Sequence, residues 1–165
     1  MGRSQDLRAA LFPNHLSIIH TKNLEGMTTD LKIYTSYIDK ENIDRIIELN
    51  LLPIFIVRSL GKIDYFRQWA GTAIHFRELS PSQELFWKYR DGTLDYLTYC
   101  KSFVIEMASL DFQDVIRRLE GLCKVSNSDG VVLCGIGLNP DNSHRSLVSD
   151  VLWRTGYLDS KPYEL

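Results

Sequence analysis

The chain has 165 residues, 44% hydrophobic and 24% charged, with a net charge of -2 at pH 7 and a pI of about 6.1. That length suits one domain with a single good core, and the balance of charge excludes a non-specific nucleic-acid coat protein, which needs a basic face, while leaving a local basic pocket open. Three cysteines, Cys100, Cys123 and Cys134, make no CxxC pair, and no apolar run nears the roughly 18 residues of a membrane span, so a disulfide framework, a structural zinc site and a membrane helix are all unexpected and a cytoplasmic setting is the simplest.

Residues 1–29 read differently from the rest. Arg3 and Arg8 flank short apolar fragments with no continuous apolar core, so a signal peptide is not expected there. Pro13, Asn14 and His15 break any helix. This stretch is expected to be an N-terminal extension, non-native or mobile, with a short docked arm as the alternative. The domain is expected over residues 30–165, starting near Met27.

Residues 31–38, LKIYTSYI, alternate and are rich in β formers, which predicts the first strand. Asp39 can cap a helix in which Ile43, Ile46 and Ile47 share a face. Pro53 is expected to end that connection, and residues 54–57 form a fully apolar strand of the kind found in parallel sheets covered on both faces. Arg58, Ser59 and Gly61 follow it. Strand, helix and strand within 30 residues make a βαβ unit. Residues 64–70, with Tyr65, Phe66 and Trp69, read as a short helix or ordered loop.

Ser80, Pro81 and Gln83 spell a helix start, with Ser80 as N-cap, proline at the first position and Gln83 closing a capping box. Leu85, Phe86 and Tyr89 make an apolar stripe, and Asp91-Gly92 breaks it. Leu94, Leu97, Val104 and Met107 fit one helical face. Phe112, Val115, Ile116, Leu119 and Leu122 fit another, after a kink near Ser109 and Asp111. The tryptophans Trp69, Trp87 and Trp153 are scattered and read as core. The overall expectation is a single α/β domain: a small, mainly parallel sheet flanked by helices, with a helical insertion between the second and third strands.

The most informative stretch is 131–156, VVLCGIGLNPDNSHRSLVSDVLWRTG. A β-branched run precedes Gly135 and Gly137, and Asn139-Pro140-Asp141-Asn142 is turn chemistry. Ser143 is a natural N-cap, which puts His144 and Arg145 in the first helical turn, where free N–H groups and the helix dipole favour an anion. Gly156 sits where a C-cap glycine would, and residues 157–165 add an edge segment or fray.

Ligands of open parallel sheets bind beyond the C-terminal strand ends. That rule gathers Tyr34, Ser36 and Tyr37 from the first strand, Arg58 from the second, and Ser143, His144 and Arg145 from the third. Arginines, a histidine and hydroxyls at one crevice suit phosphate or carboxylate. The candidate anion-binding residues are therefore Arg58, Ser143, Arg145, Tyr34 and Ser36, with His144 as general acid or base. Each has a structural alternative. Arg58 would pair with Glu84 or Asp64, Arg145 would be a solvated surface arginine or pair with Asp141 or Asp150, His144 would cover the sheet edge, and Tyr34 and Tyr37 would pack. Ser143 caps its helix in either case. Cys134 reads as an inert buried thiol, and Glu84 as a complement to its helix dipole. No metal site and no cofactor motif is recognised; the Gly135-Ile136-Gly137 pair lacks the third glycine of a dinucleotide fingerprint.

IYTSYI, the second strand closing with VRSL, the segment LSPSQEL and the ending VVLCGIGLNPDNSHRSLVSDVL together resemble the family called domain of unknown function 488, over Leu31 to about Tyr157. In that family the last piece reads as a strand ending Leu-Cys, a short acidic loop, and Cys-His-Arg opening a helix. Leu133-Cys134 and His144-Arg145 match. Ser143 stands where the cysteine is usual, and Gly135 and Ile136 stand where an acidic residue is usual, so no thiol role carries over. The resemblance implies a compact α/β fold and a cytoplasmic protein, and it supplies no activity.

Three functional readings follow. One is a small anionic or nucleotide ligand held at the strand ends, with or without catalysis. Another is a non-catalytic nucleotide or nucleic-acid binding module. The third is an interaction protein using Tyr65, Phe66 and Trp69. Whether the chain is an enzyme, and its oligomeric state, are open at this point.

Overall fold

The computed structural model describes residues 29–59, 74–137 and 139–165. The N-terminal extension up to residue 28 and the aromatic segment 64–70 lie outside the described residues. Among the described residues five strands and five helices run in the order β1 (Ile33–Tyr37), α1 (Lys40–Glu48), β2 (Leu51–Phe55), β3 (Ile74–His75), α2 (Gln83–Arg90), α3 (Tyr96–Ala108), α4 (Phe112–Ser126), β4 (Gly130–Gly135), α5 (His144–Arg154) and β5 (Tyr163–Glu164). Short 3-10 turns occupy Arg77–Leu79 and Pro140–Asn142. The strands form one sheet in the order β3-β2-β4-β1-β5, and all the pairings are parallel.

Both faces of the sheet are covered, which is why β2 and β4 are buried at every residue. Alternate side chains serve alternate faces. Leu51, Phe55, Val57, Val132 and Cys134 pack against Ile43 and Ile46 of α1. Leu52, Ile54, Ile56, Val131 and Leu133 face the opposite way, into a larger cluster with residues of α3, α4 and α5 such as Phe103, Leu119 and Val148. Each such side chain, fully buried, contributes about 1.5–3 kcal/mol.

The helix boundaries follow local capping chemistry. Asp39 caps α1 by accepting from Asn42 N–H, as expected. The α2 cap is Ser82, accepting from Leu85 N–H, and not Ser80. Ser80 instead donates its hydroxyl to the Arg77 carbonyl, which closes the preceding 3-10 turn and moves the helix start by two residues. The expected kink is a full break: α3 ends at Ala108 and Asp111 caps α4 as a separate helix.

Pro53 does not end the connection before the second strand; it lies inside β2. Ile56 N–H donates to Cys134 O, so by alternation the ring nitrogen of Pro53 faces away from β4, toward β3. The β3 register begins only at Ile54↔Ile74, so among the described residues no ladder bond requires a Pro53 N–H. The C-terminal residues add a fifth strand at the edge: Tyr163 and Glu164 pair with Tyr34 and Thr35 of β1.

Gly130 opens β4 where the chain runs against Lys32. A Cβ there would sit 2.7 Å from Lys32 O and 3.0 Å from its Cβ. Gly130→Ala is therefore expected to cost about 1–3 kcal/mol in urea unfolding, since β1 and β4 must separate at the start of their register. Gly121→Ala on α4, where a Cβ meets nothing within 4 Å, is the control and is expected to be neutral or slightly stabilising.

Candidate functional site

The connections diverge at β2 and β4. From β2 the chain moves outward to β3, and from β4 it moves the other way, past β1 to β5. The crevice beyond the C-terminal ends of β2 and β4 is thus the switch point of the sheet, where open α/β folds bind ligands. A cleft of about 490 Å³ lies there, a size typical of small-molecule sites.

Two histidines fix one wall. Beyond the last ladder residue of β2, the Ile56 carbonyl accepts from His144 Nε2 and the next carbonyl, that of Val57, accepts from His75 Nε2. The backbone is held from two sides as it reaches Arg58. The bond to Ile56 sets the His144 tautomer: Nε2 carries the proton and Nδ1 keeps its lone pair. Phe103 meets the imidazole at 82° with the centroids 6.1 Å apart, which holds the ring plane. Burial lowers the His144 pKa from 6.5 to about 4. The Ile56 bond opposes that shift and Arg145 adds to it, so the ring is neutral near pH 7.

Arg58 is partly buried on the cleft wall. Its Nη1 donates to Pro81 O at 3.5 Å, and its Nε is buried with no hydrogen-bond partner among the described residues. Glu84, one of its expected partners, instead pairs with Lys88 at 2.5 Å in the exposed i, i+4 geometry, and Asp64 lies outside the described residues. Ser143 lines the same cleft and is the α5 N-cap, accepting from Arg145 N–H.

Arg145 has a different role. Its side chain is fully buried. Nε and Nη2 donate to Glu164 Oε1 at 3.0 and 2.7 Å, and Nη1 donates to Gly137 O at 2.7 Å and Ser143 Oγ at 2.8 Å. Glu164, not Asp141 or Asp150, is its ionic partner, and Thr35 Oγ1 also donates to that carboxylate. Only one of the five guanidinium N–H groups is left without an acceptor here. Arg145 fastens β5, Ser143 and the loop after β4 to one another. Gly137 can present its carbonyl this way because its φ is +106°, a backbone region that side chains disfavour.

Tyr34 and Ser36 are on β1, facing α1, and do not line the cleft. Ser36 is buried and donates to Tyr37 O. Tyr34 borders a separate cavity beside the C-terminal segment. Cys134 is fully buried, and desolvation pushes its thiol up to about 12, as befits an inert core thiol. The structure therefore brings Arg58, Ser143 and His144 together, and leaves Arg145, Tyr34 and Ser36 out of the cleft.

The other walls come from residues to which the sequence reading gives no site role. Arg77 and Arg90 add two guanidinium groups, Asn142 adds an amide, and Phe86, Trp87 and Tyr89 of α2 supply rings. No aspartate or glutamate lines the cleft among the described residues. Trp87 and Trp153, expected in the core, are 50% and 37% exposed. One signal pointed to α2: its apolar residues extend over three adjacent positions, Leu85, Phe86 and Trp87, more than one buried face accommodates.

A family model described as the active DUF488-N3 subclade matches residues 31–156. The chain belongs to the DUF488 family. No curated protein and no solved structure matches it. The matched span of this DUF488 member contains β1 to α5, hence the whole cleft wall described above, and ends before β5 and its Glu164. Among the described residues no helix is long and apolar enough to cross a membrane, and no group of three or more His, Cys, Asp or Glu side chains is placed to hold a metal ion.

Proposed function

We propose that the cleft beyond β2 and β4 is a binding site for a phosphate-type anion, with Arg58 as the principal cation and Arg77, Arg90 and Ser143 as further donors. The observation that carries this reading is Arg58: a partly buried guanidinium whose Nε has no partner among the described residues, on a wall that holds two more arginines and, among those residues, no carboxylate. A buried donor without a partner is costly, and a bound anion offsets that cost. Arginine forks suit phosphate, and the Ser143 hydroxyl at the start of α5 adds a donor at the positive end of a helix.

Ribose 5-phosphate is a suitable probe. Binding to the folded state raises the thermal midpoint by mass action. Wild type is expected to shift, and Arg58→Ala to lose at least tenfold in affinity, the loss of one charged hydrogen bond of about 1.5–3 kcal/mol. An unchanged affinity in Arg58→Ala would remove the assignment.

If chemistry takes place there, His144 acts through Nδ1 as an acceptor or general base, since burial disfavours the imidazolium that a general acid requires. Description of the subclade as active fits that reading. Binding without catalysis is the second reading, favoured by the commitment of His144 Nε2 to the Ile56 carbonyl. Product analysis after incubation with phosphate esters separates the two: turnover abolished by His144→Asn supports an enzyme, and binding without turnover supports a module that senses its ligand.

A further inference from the structure

The anion reading leaves the aromatic wall of the cleft unexplained. Phe86 and Trp87 are 37% and 50% exposed, in a helix whose neighbouring Leu85 is buried. Ile136, at the loop after β4, is 59% exposed and lines the same cleft. Large apolar side chains gathered on a concave surface mark a place where something apolar binds. Here they share that surface with arginines.

The rings are also held in place. Phe86 and Trp87 meet edge to face, with centroids 5.5 Å apart and planes at 72°. The Arg90 guanidinium lies 5.3 Å from the Trp87 centroid and 6.0 Å from that of Phe86, a cation–π contact that steadies both rings while Trp87 stays exposed. Behind them Tyr89 stacks on Tyr99 at 4.5 Å, and Tyr99 on Phe103 at 6.3 Å, so the wall is backed by a packed aromatic column that reaches His144. A rigid aromatic platform offers a π face at little entropic cost.

We infer that the cleft takes a nucleoside 5′-phosphate, its phosphate on Arg58 and its base stacked on Trp87 with Phe86 and Ile136 at the edge. This rests on the anion reading and adds the class of ligand. A sugar phosphate or inorganic phosphate would leave the rings in water. A nucleotide uses both halves of the surface, and a cleft of about 490 Å³ accommodates one nucleotide and not a strand. The net charge of -2 agrees with a mononucleotide over a polymer.

The test is a pair of titrations, AMP and ribose 5-phosphate, on the full chain and on Trp87→Ala, Trp87→Phe and Arg58→Ala. Wild type is expected to bind AMP about tenfold or more tighter than ribose 5-phosphate, the scale of stacking one base on an aromatic side chain. Trp87→Ala is expected to erase that preference, lowering AMP affinity about tenfold more than ribose 5-phosphate affinity, Trp87→Phe to keep part of it, and Arg58→Ala to weaken both ligands alike. If ribose 5-phosphate binds through Arg58 but AMP binds no better, the base platform is wrong and the anion reading stands. If neither ligand binds wild type, both fall. If oligoadenylate binds far more tightly than AMP, with steep salt dependence, the ligand is a nucleic acid and the mononucleotide inference is overturned.

Discussion

Glu164→Ala is expected to destabilise the domain by about 3 kcal/mol, although Glu164 sits in a two-residue edge strand next to the end of the chain. The cost arises at Arg145, not at the strand. Arg145 is fully buried, and the carboxylate accepts from both its Nε and its Nη2. Removing one member of such a pair leaves the other charge buried and unpaired, which costs more than the pair contributes. The figure belongs at the lower end of the range for buried pairs because the Glu164 side chain is 31% exposed and water can partly replace it. The double variant Arg145→Met, Glu164→Met removes both charges and is expected to recover much of the loss. Urea unfolding of the three proteins measures this directly. An unfolding free energy for Glu164→Ala within about 0.5 kcal/mol of wild type would mean that the pair does not fasten β5 to α5.

The second large effect is in pH dependence. Folding lowers the His144 pKa from 6.5 to about 4, first because burial strips water from the imidazolium and also because Arg145 is adjacent, against the opposing pull of the Ile56 carbonyl. Between those two values the unfolded chain binds a proton that the folded chain refuses. The stabilising contribution of neutral His144 is therefore complete above about pH 6.5 and declines as pH falls toward 4. Over the interval from pH 7.5 to pH 5 this group is expected to remove about 2 kcal/mol of stability. His144→Asn keeps a donor of similar size and has no proton to take up, so its stability is expected to fall by about 2 kcal/mol less than wild type over the same interval. Carboxylates common to the two proteins cancel in that difference. Parallel pH profiles for wild type and His144→Asn would contradict an imidazole held neutral in the fold.

The fold was largely legible because its signals are local. Alternation in β1, the continuous apolar runs of β2 and β4, Asp39 and Ser143 as caps, and the spacing of α3 and α4 each follow from backbone hydrogen bonding and a two-sided core. The errors are informative in the same terms. Pro53 reads as a strand breaker, but it is tolerated on the side of β2 that needs no donor, and that side depends on which strand lies next to it. Ser80 and Ser82 are equally good caps in sequence; the 3-10 turn that claims Ser80 is decided by its bond to Arg77 O. β5 is too short, at two residues, to leave a pattern.

The site was legible by halves. Arg58, Ser143 and His144 could be placed together because all three follow strand C-termini, and that geometry comes with the topology. Arg145 was grouped with them for the same reason. Adjacent residues on a helix point about 100° apart, so Arg145 turns inward to Glu164 while His144 turns toward Ile56. The partner is 19 residues away in sequence, in a strand that no pattern announces. Phe86 reads as part of an apolar helix stripe and Trp87 as core, and neither they nor Arg77 and Arg90 show a site role in sequence, since they come from the insertion between β3 and β4, whose position over the strand ends is a tertiary fact.

The most direct test of the central claim is a crystal structure of the chain soaked with AMP. The phosphate is expected within hydrogen-bonding distance of Arg58 beyond the ends of β2 and β4, with adenine against Trp87. A nucleotide bound elsewhere, with Arg58 unchanged and the cleft empty, would contradict it.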